Sequence, residues 1–252
     1  MEAKTIPKLV RILHQCEGSL LVEAAVVRLG NLAAFTPLQH QIAAHGGIAA
    51  LTERLADMDC TRTCATAIFT ALANLVVNDT NHHVIGEPSN LDIYLGWYTD
   101  DDAATKLACA RLLKNLSMWE FYATELLSRD TLPSMARDLF QRQCPSLDDL
   151  LLQCWLNMQS ASMSIAQLQT MLDAIEGHTP ATERAKETVL RLLLHMSKRD
   201  EASSGFGQHI VACLASLDFF TLDEDAAHAR YGHTELRRWF AEQTEHEKAW
   251  DT

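Results

Sequence analysis

Apolar residues along the chain recur with the spacing of one α-helical stripe. In "IPKLVRIL", which begins at Ile6, apolar side chains stand at the first, fourth and eighth positions, the i, i+3, i+7 pattern of a buried helix face. The same frame begins again at Ile48 and at Leu132, and a less regular copy begins at Leu91. The starting positions 6, 48, 91 and 132 are 42, 43 and 41 residues apart. This spacing predicts a repeated structural unit.

A second motif keeps the same period. Three segments end in Leu-x-Asn-Leu: "AVVRLGNL" at 25–32, "IFTALANL" at 68–75 and "CARLLKNL" at 109–116. Weaker copies follow at 153–158 and 191–196. The phased polar residues are Asn31, Asn74, Asn115 and Asn157, followed by His195. Two independent motifs in one period predict repeats rather than an ordinary helical bundle.

Start and stop signals divide one complete unit into three predicted helices. Thr36-Pro37 is typical of a helix start with Thr36 as the N-cap, and Gly46-Gly47 ends this short helix. The segment "IAALTERLA" predicts a second helix that ends near Asp57. A third helix is predicted over roughly Thr61 to Val77. It is apolar nearly all round, as expected of a helix packed on both sides.

These units resemble armadillo repeats. A period of about 40–47 residues with two or three helices is typical of HEAT and armadillo solenoids. The segments Gly-Gly-Ile-Ala-Ala-Leu and Ala-x-x-x-Leu-x-Asn-Leu are similar to armadillo second and third helices, and the resemblance covers about Thr5 to Leu217. It implies an all-α, right-handed α-solenoid of about five armadillo-type three-helix repeats that begins with a half repeat. We expect this solenoid over residues 1–220, and an acidic tail with a short amphipathic capping helix over residues 221–252.

The resemblance also gives the phased asparagines a role. In armadillo proteins the third helices line a concave groove, where this asparagine offers donors and an acceptor to the main chain of an extended peptide. It therefore implies a partner-binding ladder of Asn31, Asn74, Asn115 and Asn157. The alternative is that each amide bonds to the backbone of the neighbouring repeat and sets the spacing of the solenoid.

The residues near these asparagines indicate which segment would bind. Importin-α-like armadillo proteins place tryptophan four residues before the asparagine, where it holds the lysine stems of a basic signal. The corresponding residues here are Val27, Thr70, Arg111 and Gln153. Arg28, Arg111 and Lys114 instead add positive charge near the expected groove. We therefore expect a neutral or acidic extended segment rather than a basic nuclear-import cargo.

The chain opens with "TIPKLVRIL", which matches the second helix of a repeat and follows only four residues. A solenoid buries each unit against its neighbours, so an incomplete end is expected to leave apolar side chains partly uncovered. We expect Ile6 and Val10 to contact a partner chain or a second copy of the protein. The alternative is that this helix folds back on residues 20–34 and covers its own apolar stripe.

Composition narrows the class of partner. A formal net charge of −12 disfavours nucleic acid and anionic membranes, because both need a basic surface. The chain contains no apolar run of the roughly 18 residues that a membrane span requires. Seven scattered cysteines, an odd number, are typical of a reducing compartment. We therefore expect a cytoplasmic protein, with the cytoskeleton or a cilium as more specific locations.

Two groupings that suggest chemistry have simpler explanations. Cys60 and Cys64 precede His82-His83, but structural zinc sites usually have two tight ligand pairs, and we expect these cysteines in the core. Asp100-Asp101-Asp102 stands at a predicted helix start, where carboxylates cap amide groups. The sequence has no phosphate loop, nucleophile elbow or metal-ligand cluster. We expect no catalytic residue, metal or cofactor.

The sequence therefore predicts a non-enzymatic scaffold or adaptor that binds proteins in the groove and at the ends of the solenoid. One alternative is a structural subunit of a large cytoskeletal or ciliary (axonemal) assembly, and another is a regulator of a chaperone or a small GTPase. In the tail, Leu236, Trp239 and Phe240 share one side of a short predicted helix. We expect this helix to cap the last repeat, the alternative being a docking peptide.

Overall fold

The computed structural model describes residues 5–16, 19–99, 102–129, 134–135, 137–138 and 144–158. Within these residues the chain forms α-helices and no strand. The helices are α1 (Ile6–Gln15), α2 (Ser19–Ala33), α3 (Thr36–Ala44), α4 (Gly47–Ala56), α5 (Arg62–Leu75), α6 (His82–Ile85), α7 (Pro88–Tyr98), α8 (Ala103–Leu116), α9 (Glu120–Leu127) and α10 (Pro145–Met158). Residues 134–135 and 137–138, between α9 and α10 in the sequence, are also helical.

The helices group into the predicted three-helix units. One complete unit comprises α3, α4 and α5, and the next comprises α6, α7 and α8. The unit before them is represented by α1 and α2, which correspond to its last two helices. The prediction of all-α repeats that begin with a half repeat is therefore confirmed. The copy at 191–196 and the tail at 221–252 lie outside the described residues.

Local sequence signals set the boundaries of the first complete unit. Thr61 is the N-cap of α5, and its hydroxyl accepts a hydrogen bond from the Cys64 amide at 3.2 Å. Gly46 separates α3 from α4 with φ = +76°, a left-handed conformation that favours glycine. The predicted N-cap at Thr36 is wrong. Helix α3 begins at Thr36 itself, because Phe35 has the extended backbone of a cap residue.

The core is built around α2, α5, α8 and α10, which pack side by side in chain order. Near the N-terminal ends of α5 and α8, Thr66 Oγ1 lies 2.9 Å from Thr105 Oγ1. Near their C-terminal ends, Asn115 Nδ2 donates to the carbonyl of Ala73 at 2.8 Å. The two helices therefore run in the same direction. Helix α5 packs against both α2 and α8, which explains why its sequence is apolar on nearly every side.

Among the second helices α1, α4 and α7, a side chain of each later helix donates hydrogen bonds to the C-terminal backbone of the one before it. Arg54 of α4 donates to the carbonyls of Leu13 and Cys16, each at 2.7 Å, at the C-terminal end of α1. Trp97 of α7 donates from Nε1 to the carbonyl of Leu55 at 2.9 Å, at the C-terminal end of α4. In both cases the later helix satisfies carbonyls that the earlier helix leaves without an intrahelical partner.

Two buried amides that the sequence analysis did not single out cap third helices. Gln39 donates from Nε2 to the carbonyls of Ala33 and Asn74, at 2.9 and 3.0 Å. Asn81, one period later, donates from Nδ2 to the carbonyl of Leu75 at 3.0 Å. Both side chains are buried, so each amide replaces the water that would otherwise bond to a helix C-terminus.

The first helix covers its own apolar stripe. Ile6 is 0% exposed and Val10 is 6% exposed, because α1 packs against α2 and α4. The expectation that these side chains are uncovered is therefore wrong, and the alternative, in which α1 folds back on the following helix, is the one found. A partner could reach Ile6 and Val10 only if α1 left this position.

The chain divides into two compact units. The first comprises Met1–Thr131 and Cys144–Met158 and contains all the helices named above. The second comprises Leu132–Gln143 and Gln159–Thr252. Its described residues are 134–135 and 137–138, where Arg137 Nη2 donates to Ser134 Oγ at 3.3 Å. The predicted boundary at residue 220 lies outside the described residues and stays a prediction.

Candidate functional site

A cavity lies between α2 and α5, the third helices of two successive repeats. Its volume is about 450 Å³, and we call it the α2–α5 cavity. The lining residues are Leu20, Glu23, Ala24, Val27, Arg28 and Asn31 from α2, with Thr63 and Ala67 from α5. The first of the phased asparagines, Asn31, therefore lies in the wall of a cavity between two third helices.

The α2–α5 cavity combines apolar and polar surface. Leu20 is 81% exposed and Val27 is 48% exposed, and both lie in the same cavity wall, where together they form an exposed apolar surface. Glu23, Arg28 and Asn31 supply polar groups in the same wall. Such a surface can cover an apolar side chain of a ligand while the amide of Asn31 bonds to the ligand main chain.

The four ladder asparagines do not have the same surroundings. Asn115 Nδ2 donates to the carbonyl of Ala73 at 2.8 Å, and Asn157 Nδ2 donates to the carbonyl of Lys114 at 3.1 Å. Each of these carbonyls belongs to the residue just before the preceding ladder asparagine. At these two positions the structure contains the bond to the neighbouring repeat that was the alternative to partner binding.

Asn31 and Asn74 differ from the other two. Asn31 is exposed and Asn74 is half-buried, and within the described residues neither side chain makes a hydrogen bond. The backbone carbonyl of Asn74 accepts the hydrogen bond from Gln39 described above, while its side-chain amide remains available. The amides available to a ligand are therefore on α2 and α5, the two helices that form the cavity.

The residues four positions before each asparagine lie at the same level of the third helices. Val27 and Arg111 are exposed, whereas Thr70 Oγ1 donates to the carbonyl of Thr66 at 2.9 Å. Gln153 Nε2 donates to Asn157 Oδ1 at 3.2 Å, so these two side chains hold each other on α10.

The cations named from the sequence do not form one cluster. Arg28 is exposed in the wall of the α2–α5 cavity, and Arg111 is exposed on α8. Lys114, one turn after Arg111, is half-buried. Glu23 balances the charge of Arg28 in the cavity wall, so the positive charge that favours an anionic ligand lies on α8, at Arg111 and Lys114.

Asp102 caps α8, as predicted. Its Oδ2 accepts hydrogen bonds from the Thr105 hydroxyl at 2.7 Å and the Thr105 amide at 2.8 Å. These bonds lower the pKa of the Asp102 carboxyl, and the positive charge of Arg62 lowers it further. Asp100 and Asp101 lie outside the described residues.

The cysteines and histidines weighed for zinc are arranged differently from a metal site. Among the described residues, no three His, Cys, Asp or Glu side chains are grouped as metal ligands. His82 stacks on Trp119 with ring centroids 4.7 Å apart, and its Nδ1 lies 3.3 Å from the Tyr122 hydroxyl. Cys64 is buried as expected, but Cys60 is half-buried. Across the described part of the chain, no helix is long and apolar enough to cross a membrane.

Comparison with known proteins agrees with the repeat pattern. A family model described as armadillo-like matches residues 1–87. Comparison with curated proteins gave no match.

Solved structures similar to this chain include designed armadillo repeat proteins. One, computationally designed for modular peptide recognition, has 13% sequence identity and a TM-score of 0.72 over 94% of this chain and 98% of that one. A second, solved with the peptide (KR)4, has 14% identity and a TM-score of 0.68 over 94% and 98% of the two chains. An engineered protein has 15% identity and a TM-score of 0.68 over 95% and 96%. The chain thus matches the armadillo-like family over residues 1–87, and its fold is that of an armadillo repeat solenoid.

Proposed function

We propose that the protein is a non-enzymatic scaffold that binds an extended segment of a partner protein along its third helices. The observation that carries this proposal is the α2–α5 cavity, where exposed Leu20 and Val27 adjoin the unbonded amide of Asn31. The designed neighbours of the same fold support it, since one was made for modular peptide recognition and another was solved with a peptide. Armadillo solenoids are commonly binding scaffolds.

The proposed segment has an apolar side chain and no net positive charge. The cavity offers Leu20, Val27 and Ala67 to the apolar side chain, and Asn31 in its wall bonds to the adjoining main chain. Asn74, in the last turn of α5, bonds to the main chain further along. Arg111 and Lys114 attract carboxylates further along the third helices. The neighbour solved with (KR)4 holds a basic peptide, but the cations of this chain would repel such a ligand.

In this proposal the asparagine ladder is divided. Asn31 and Asn74 bind the partner, while Asn115 and Asn157 mainly hold neighbouring third helices in register through their bonds to Ala73 and Lys114. The binding surface is therefore centred on α2 and α5 and is shorter than the full ladder.

A structural subunit of a larger assembly is the second candidate function. Large apolar side chains are also exposed away from the cavity, among them Met118 at 66% and Phe121 at 60%, close to each other in sequence at the start of α9. Apolar exposure of this kind supports additional contact surfaces. The cytoplasmic, cytoskeletal or ciliary location stays a proposal that rests on the sequence.

A library of linear peptides displayed on phage tests the scaffold proposal. Selection on the purified chain should enrich peptides with apolar and acidic residues, and the enriched peptide should bind in a fluorescence anisotropy titration. Val27→Asp places a charge in the cavity and should weaken binding by about tenfold or more, which corresponds to about 1.4 kcal/mol.

Val77→Asp is the matched control, because Val77 is also exposed, at 64%, but does not line the cavity. It should leave peptide affinity unchanged. Failure to enrich any peptide, or equal weakening by the two substitutions, would contradict the proposed site.

A further inference from the structure

A second cavity lies where α4 ends and α5 begins. Its volume is about 360 Å³, and its wall contains Cys60 and Cys64 together with Arg54, Asp57 and Glu23. We call it the dithiol cavity. Two cysteines, one half-buried and one buried, therefore share the wall of one cavity, and both are free thiols.

The two cysteines differ in backbone position. Cys64 is the third residue of α5, where its amide donates to the Thr61 hydroxyl at 3.2 Å. Cys60 precedes the Thr61 cap, and its thiol lies 3.7 Å from the Thr61 carbonyl. The first turn of a helix favours a thiolate, because the amide groups there carry positive partial charge.

The two thiols also differ in their tendency to ionise. A hydrogen bond with the Cys60 thiol lowers the pKa of Cys64, and the guanidinium of Arg54 adds to this effect, while burial and the carboxylate of Glu23 oppose it. The same hydrogen bond raises the pKa of Cys60. Cys64 is thus the more readily ionised thiol of the pair.

The buried cysteines elsewhere in the core have the opposite environment. Burial raises the pKa of Cys109 well above its usual range and raises that of Cys154 to about 11. Cys109 is further occupied by a hydrogen bond from its thiol to the carbonyl of Tyr94 at 3.2 Å. Since the thiolate is the reactive form of cysteine, these two residues are expected to resist oxidation.

We propose that Cys60 and Cys64 form an oxidant-sensitive modification site that hydrogen peroxide converts from a dithiol into an intramolecular disulfide. Two thiols four residues apart in the wall of one cavity, one of them in the first turn of a helix and the other half-buried, form an arrangement in which a sulfenic acid on one cysteine can be resolved by the other. The pair does not make a closed metal site, because a structural site needs about four ligands, and no third ligand is grouped with the pair among the described residues.

The reaction has two steps. The Cys64 thiolate attacks one oxygen of the peroxide, the O–O bond breaks, hydroxide leaves, and Cys64 becomes a sulfenic acid. The Cys60 sulfur then attacks the Cys64 sulfur, so that an S–S bond forms and the S–O bond breaks. The hydroxide released from Cys64 takes up the proton of the Cys60 thiol and leaves as water. The two sulfurs lose two electrons, which reduce the peroxide to water and hydroxide.

Peroxide titration of the full chain tests this site. After treatment the intact protein should lose two hydrogen atoms in mass, and a thiol-blocking reagent added afterwards should label two fewer cysteines than in the untreated protein. Trypsin cleaves after Arg62, between the two cysteines, so the disulfide should appear as one cross-linked pair of peptides that a reductant separates. Oxidation of any other cysteine before this pair would overturn the proposal.

Single substitutions assign the two roles. Cys60→Ser should abolish the cross-link and leave a sulfenic acid on Cys64 that dimedone traps, whereas Cys64→Ser should leave Cys60 reduced. Cys144→Ser is the control, because Cys144 is half-buried like Cys60 and does not line the cavity, and it should leave the cross-link intact. A cross-link that persists in Cys60→Ser, or dimedone trapping on Cys60 in place of Cys64, would contradict the assignment.

Discussion

The two halves of the asparagine ladder show how one motif can do different work. Asn31 and Asn74 make no side-chain hydrogen bond within the described residues, whereas Asn115 and Asn157 each bond to the preceding third helix. The four residues stand in the same register of the same repeat. The difference therefore comes from their neighbours and not from their position in the unit.

The bridging residue at the first helix junction accounts for Asn74, whereas Asn31 lies on α2, which has no third helix before it among the described residues. Between α2 and α5, Gln39 donates to Ala33 at the end of one helix and to Asn74 at the end of the other. Between α5 and α8 this connection is made by Asn115 itself. Where another amide already ties the helices together, the ladder asparagine is left free, and a groove can use it.

The largest expected effect concerns the hydrophobic core of the third helices, which lies beneath both halves of the asparagine ladder. Leu72 is fully buried in α5, which contacts both α2 and α8. Leu72→Ala should lower the free energy of unfolding by about 2–5 kcal/mol, because it removes buried methyl groups and leaves a cavity. Urea denaturation followed by circular dichroism measures this change.

Val77→Ala is the control for this change, since Val77 is 64% exposed, and it should alter stability by less than about 0.5 kcal/mol. If Leu72→Ala cost no more than the control, the two halves would not share one packed core.

The next effect tests whether Gln39 carries the first junction. Gln39→Met keeps the length of the side chain but leaves the carbonyls of Ala33 and Asn74 without their donor. A buried group left unsatisfied costs about 1–3 kcal/mol, so unfolding should become easier by this amount in the same urea experiment. A loss as small as that of Asn31→Ala would mean that the junction does not depend on Gln39.

The ladder itself gives the third prediction. Asn115→Ala and Asn157→Ala should each lower stability by about 0.5–1.5 kcal/mol, because each removes a hydrogen bond between helices. Asn31→Ala and Asn74→Ala should leave stability within about 0.5 kcal/mol and should instead weaken the selected peptide. Thermal melting and fluorescence anisotropy on all four variants separate the two groups, and four equal stability losses would remove the distinction.

Sequence was sufficient for features that are local or periodic. The repeat period, the three helices of a unit and the cap at Asp102 all follow from residues near each other in the chain. In contrast, Arg54 and Trp97 donate hydrogen bonds to the preceding second helix, about 40 residues earlier in the chain. No local sequence pattern indicates that these side chains lie next to carbonyls without an intrahelical partner.

Several features that depend on packing between helices were not predicted from the sequence. Ile6 and Val10 are buried because α1 packs against α2 and α4. Gln39 and Asn81 share the repeat period, so their 42-residue spacing is a signal that could have identified them. The dithiol cavity forms because the end of α4 lies beside α2, and no sequence motif indicates that these two segments are neighbours.

The smallest expected effect concerns the N-terminal end of the α5–α8 junction. There Asp102 accepts two hydrogen bonds from Thr105, whose hydroxyl lies 2.9 Å from that of Thr66 on α5. Because these bonds lower the pKa of Asp102 in the folded protein, the ionised carboxylate stabilises the fold at pH values above the pKa of the unfolded chain. This stabilisation is lost as the pH falls through the lower, folded pKa.

Asp102→Asn should therefore melt at a lower temperature than the parent chain at neutral pH, and the gap should close in acid. Melting followed by circular dichroism from about pH 7 to about pH 3 measures the gap, since this range spans the titration of carboxyl groups. Asp79→Asn is the charge-matched control, because Asp79 is exposed in the turn after α5 and caps no helix named here. A gap for Asp102→Asn that stays constant with pH, or that Asp79→Asn reproduces, would show that the carboxylate does not help to hold α8 against α5. The bond between Asn115 and Ala73 would then tie this junction without support from the opposite end.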